Sequence, residues 1–149
     1  MPANFSPVFT LTPNMGGGAA TAANTVGDGG GTVGTDMFKV FTAGANGSYL
    51  GRARFQAVAS VAATATTATV ARLFVSSVTS GATLNTNTFC VGEINLATAT
   101  ADHSTAATNF LEFPLNFAIP TGWFIHVTNH AAPAANTRWH VTFPGSGDF

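Results

Sequence analysis

Charge is nearly absent from this chain. Five Lys and Arg and six Asp and Glu stand among 149 residues, or 7%, against roughly 25% in an ordinary soluble domain. The few cations are scattered and the net charge is −1. A duplex-binding protein needs clustered cations to displace counterions from phosphates, so a nucleic-acid partner is not expected. So neutral a surface has little electrostatic protection against association, and the chain reads as one that packs against other chains. Cysteine is reduced to Cys90, which excludes an internal disulfide and any zinc-finger spacing. A small buried apolar residue is the expectation there. Long apolar runs are lacking too. Residues 57–71 carry no charge but include Thr64, Thr66, Thr67 and Thr69, and no window of about 20 residues is apolar enough to span a bilayer. Met1-Pro2-Ala3-Asn4 has neither the basic nor the apolar region of a signal peptide. No membrane partner is expected, and the chain reads as one made in a cytoplasm.

What is present is Gly, Thr, Asn, Ala and 13 Phe, in a length suited to one domain. Residues 5–11 are an apolar run interrupted by Pro7, which suggests an edge strand or an extended arm. Residues 12–35 are low in complexity, with Gly16-Gly17-Gly18 and Gly27-Asp28-Gly29-Gly30-Gly31. Such a stretch cannot offset its conformational entropy by burying its own side chains. It is either mobile or ordered on a neighbouring subunit; we expect the second, and assign residues 1–36 to an arm and 37–149 to a β-sandwich domain. From Met37 onward, strand-like runs alternate with turn signals such as Asn46-Gly47. In residues 50–60, Arg52, Arg54 and Gln56 oppose Ala53, Phe55 and Ala57. Further strands are expected at 67–76, 88–96 and 110–119, the last with Pro114 at an edge or bulge. The clearest alternation is Trp123, Ile125, Val127 and then Trp139, Val141, Phe143. If these two runs pair through the loop around Pro133, His126 and His140 fall opposite each other. Helical periodicity is weak throughout. About eight short strands point to an all-β sandwich, with the jelly roll as the expected type, and an extended N-terminal arm; a partly closed barrel is the alternative.

Each group of residues capable of chemistry also has a plainer role open to it. His126 and His140, with His130 as a third ligand, have the residue types of a zinc or nickel site. No carboxylate is expected nearby, so a polar face or subunit contact is preferred. Asp102-His103-Ser104 has the composition of a hydrolase triad, but neighbours on an extended chain point apart. Glu93 and Glu112 fit ion pairs with Arg52, Arg54 or Arg72 better than a glycosidase pair. The glycine runs lack the G-K-[ST] ending and the strand–helix context of a phosphate loop. Trp123, Trp139 and Tyr49 are candidates for a sugar platform, although the alternation of the two Trp places them in a core. No catalytic, cofactor or metal residue is assigned, and no enzyme activity is expected.

The stretch Phe41-Thr42-Ala43-Gly44-Ala45-Asn46-Gly47-Ser48, followed by an alternating strand, resembles a recurrent segment of small β-rich virion proteins of tailed phages. The ending Gly145-Ser146-Gly147-Asp148-Phe149 is similar to the Gly-Asp-aromatic close of such chains. The resemblance implies a capsid cement or decoration protein located in the virion. Its partner would be the major capsid protein and its assembly a homo-oligomer, commonly a trimer. On that reading the partner contacts come from the arm: Phe5, Val8, Phe9, Leu11 and Met15. The long Gly-rich insertion departs from the short form of the group. A tail, baseplate or fibre component shares the same composition, and a carbohydrate-binding module is the rival from another class.

Overall fold

A computed structural model describes residues 10–106 and 110–149, all of them in strands, turns and loops. The short strands of the first part are β1 (Thr12–Pro13), β2 (Gly17–Ala19) and β3 (Gly31–Val33). β4 (Phe38–Thr42), β5 (Ser48–Ala59), β6 (Thr64–Ala65), β7 (Thr69–Ser76) and β8 (Gly81–Thr83) follow. The chain continues through β9 (Thr88–Leu96), β10 (Thr100–Ala101) and β11 (Phe110–Ile119). It closes with β12 (Phe124–Asn129), β13 (Thr137–Thr142) and β14 (Gly147–Asp148).

The fold is an all-β sandwich of two main antiparallel sheets, with two small two-stranded sheets, β6–β10 and β3–β8, beside them. In the front sheet, β5 pairs with β11 along one edge and with β14 and β13 along the other, and β1 and β2 extend these last two. The back sheet runs β4-β12-β7-β9. Period-two patterning explains the layering, because alternate residues of each long strand point inward. Ala53, Phe55 and Ala57 of β5 and Trp139 and Val141 of β13 meet Ala71 and Leu73 of β7 and Ile125 and Val127 of β12 in one buried cluster. Phe41 and Phe143 close one end of it edge to face, with centroids 5.5 Å apart. A Phe buried in this way contributes about 1.5–3 kcal/mol. Pro114 lies on the edge strand β11 beside an irregularity between Pro114 and Phe117, as its missing N–H demands.

Two expectations change. First, β12 and β13 do not pair, since β12 lies between β4 and β7 while β13 lies between β5 and β2. The connecting loop is held to the back sheet by His130 N to Val70 O and Ala131 N to Thr69 Oγ1 before it crosses to the front. The inward residues of the two strands therefore meet through the core, not edge to edge. Second, the described part of the Gly-rich segment is ordered by its own domain. β1 and β2 lengthen the front sheet, β3 pairs with β8, and Asn24 N donates to Asn129 O at 2.7 Å. Residues 24–37 thus form a cap on the outer face of the back sheet, where Phe74, Met37, His126 and Thr128 are fully buried. Gly29 makes this approach possible. Its φ is +97°, and a Cβ there would lie 2.4 Å from Thr88 O.

Candidate interaction surfaces

Several of the residues whose side chains could carry chemistry are used for structure. His126 is buried on the capped face of the back sheet, with Nε2 donating to Val78 O at 2.8 Å. Burial holds its pKa below the ordinary imidazole value, with Lys39 adding to this and the Val78 bond opposing it. His140 is exposed on the outer face of the front sheet and His130 is exposed beyond β12, so the three cannot share a metal. Among the described residues no three His, Cys, Asp or Glu side chains are grouped to hold one. Asp102, His103 and Ser104 form a bend in which Ser104 donates directly to Asp102, from both N and Oγ at 2.8 Å. These bonds lower the Asp102 pKa, and the His103 ring stands 3.7 Å away from the carboxylate. No path runs from serine through histidine to the acid.

Glu93 accepts from Arg72 at 2.6 Å on the back sheet, whereas Glu112 accepts from Arg54 at 2.7 Å and lies 3.3 Å from Arg52 on the front sheet. The two carboxylates serve separate ion pairs on different sheets. Cys90, expected to be buried, is exposed, because it sits on the edge strand β9 where the register with β7 shifts. Trp139 is 5% exposed and belongs to the core, and Trp123 packs against it half-buried. Neither forms a flat exposed platform for sugars. Of the arm residues expected to touch a partner, Phe5, Val8 and Phe9 lie outside the described residues. Leu11 and Met15 are on the surface, 82% and 62% exposed. Their backbones bond to the C-terminal part of the same chain, through Leu11 N to Asp148 O and Phe143 N to Met15 O.

The 41–48 stretch and the C-terminal 145–149 stretch, which carry the resemblance, meet in space. Gly44 N donates to Ser48 Oγ at 2.9 Å, and Ser48 Oγ donates to Asp148 Oδ1 at 2.5 Å. Asn14 Nδ2 donates to the same carboxylate oxygen at 2.8 Å. The Ser48 hydroxyl, then the Asn14 amide, hold the Asp148 pKa below the usual carboxylate range. A Cβ on Gly44 would lie 2.5 Å from the Asp148 carboxyl carbon, so a larger residue there would push the carboxylate off its partners. Asp148 ties the 43–48 turn, the C-terminus and β1 together. Sequence reading missed this role, although an acid facing a Ser-terminated turn carries the donor and acceptor types for it.

Two surfaces remain without an internal role. Along the β9 and β11 edges, Phe89, Phe110 and Leu111 are 46%, 52% and 38% exposed, and Phe113, Leu115 and Phe117 are only half covered. On the outer face of the front sheet, Arg52, Arg54, Gln56 and Val58 of β5 adjoin Glu112 of β11 and Arg138 and His140 of β13. Arg54 stacks over Phe110 at 4.5 Å. Period-two alternation showed the outward direction of the β5 residues, but only the strand order brings Arg138 and His140 beside them. Comparison with family models, curated proteins and solved structures finds no match for this chain.

Proposed function

We propose that this chain is a non-enzymatic structural protein of a tailed-phage virion, a cement or decoration protein that binds the head and bridges major capsid subunits. It acts as a homo-oligomer, a trimer by the resemblance. The observation that carries this reading is the combination of an almost uncharged sandwich with large apolar groups left at its open edge. Phe89, Phe110 and Leu111 are exposed there, and covering such groups against another protein is favourable by about 25 cal/mol per Å². A protein repeated over a symmetric shell needs only weak contacts per copy, because they add through multivalency. The chemically able side chains support the same reading, since His126 and Asp148 bond across the fold, Glu93 and Glu112 sit in surface ion pairs, and Asp102 accepts from Ser104 within its own bend.

The test is mass spectrometry of purified heads and tails with a count of copies per particle. Hundreds of copies on heads fit a cement protein. A few to dozens on tails fit the tail, baseplate or fibre alternative, and absence from particles removes both. The carbohydrate-binding alternative would have to rest on the half-buried Trp123 and Tyr49, because Trp139 is in the core.

A further inference from the structure

We propose that the outer face of the front sheet docks an acidic protein surface, with Arg138 and His140 holding one of its carboxylates. This rests on the reading of the chain as a protein that works by association. Three of the five Lys and Arg side chains, Arg52, Arg54 and Arg138, share this face, and Glu112 is its acid. Lys39 and Arg72 lie on the back sheet. A chain of net charge −1 therefore concentrates positive charge on one face.

The local chemistry is that of carboxylate recognition. Arg138 and His140 line a shallow depression with Asn136, Ser60, Val58 and Ala59. Every polar side chain in it offers a donor, and none is an acid. The ion pairs among the described residues use Arg52, Arg54, Arg72 and His103, which leaves the Arg138 fork open to a bidentate carboxylate. Towards β11 the face continues through Gln56 to Phe110, held under Arg54. Arg beside an exposed aromatic is the composition of strong points in protein interfaces. A nucleic acid is a poorer fit, because phosphate tracking needs a row of unpaired cations and Glu112 already engages Arg52 and Arg54.

Immobilised poly-L-glutamate is the probe, read on a biosensor at about 50 mM salt and again at about 0.5 M, where surface attraction is screened. The wild-type chain should bind at low salt and lose most of its binding at high salt. Arg138→Ala, an exposed position, should weaken binding about tenfold, and His140→Ala should weaken it in the same direction. Lys39→Ala, on the opposite sheet, should leave it unchanged. Lack of wild-type binding, equal binding by Arg138→Ala, an equal loss in Lys39→Ala, or tighter capture by a DNA duplex overturns the proposal. Head occupancy separates this idea from the functional reading. Full occupancy by Arg138→Glu rejects this docking face and leaves the cement role standing, whereas a wild-type chain missing from particles rejects that role and does not alter the poly-glutamate result.

Discussion

Asp148 and His126 show how single titratable groups hold a chain that has few of them. Asp148 accepts from Ser48 and Asn14, and its lowered pKa means that the folded state prefers the carboxylate. Its contribution is present above the ordinary carboxylate range and is lost as pH falls through the depressed folded value. Asp148→Asn, which weakens both bonds, should cost about 1–2 kcal/mol, read as a lower urea midpoint at neutral pH. An unchanged midpoint would show that the C-terminus is not tied down by this carboxylate. His126 behaves in the opposite sense, because burial disfavours its charged form. As pH falls, the unfolded chain takes up a proton at the ordinary imidazole value while the folded ring resists. Stability is therefore full above that value, falls as pH drops through it, and levels off once the folded ring protonates. Urea titrations between about pH 7.5 and 5 should show this loss in the wild type and a flatter profile in His126→Gln. Equal slopes would remove His126 as the cause.

The elements show why a glycine-rich segment that looks unstructured in sequence belongs to the domain. Glycines carry no side-chain pattern, so their contribution, backbone laid close on backbone, leaves no periodicity to read. Gly29→Ala should cost at least about 1–3 kcal/mol for backbone strain, with a further loss from contact with Thr88 O. Gly122→Ala carries the strain alone, because its φ is +76° and nothing lies within 4 Å of a Cβ there. A smaller fall in melting temperature for Gly122→Ala than for Gly29→Ala is the expected result, and equal falls would mean that the cap does not press on β9. Deleting residues 1–34 removes β1 to β3 and should expose Phe74 and Met37, seen as dye binding and loss of cooperative melting. A truncated chain that melts like the full one would show that the cap is dispensable. The inward faces of β5, β12 and β13 were legible, because Phe55, Ile125, Val127, Trp139 and Val141 alternate with polar residues. Strand neighbours were not. Alternation tells which face is buried but carries no information on which sheet a strand joins, so His126 and His140 looked like partners when their strands lie in different layers. The exposure of Cys90 was hidden for the same reason, since edge position is a property of strand order.

At the scale of the whole molecule, the scarcity of charge becomes a statement about colloidal behaviour. The sequence pI is about 6.4 and the net charge at pH 7 is −1, so copies in solution have little repulsion to keep them apart. Meanwhile Leu84 and Phe89 stand 57% and 46% exposed. The free chain should therefore be least soluble near its pI and should remain poorly soluble a unit either side of it. Leu84→Glu and Phe89→Glu should each raise solubility at pH 7 and above, measured by precipitation with polyethylene glycol, because each replaces an apolar contact with a charge, takes the net charge further from zero and moves the pI downward. Both positions are exposed, so folding stability should stay within about 0.5 kcal/mol of the wild type. Improved solubility with unchanged melting would separate association from folding, and would place the neutral surface among the properties that serve assembly. Unchanged solubility in both variants would mean that backbone edges, not these side chains, bring the copies together.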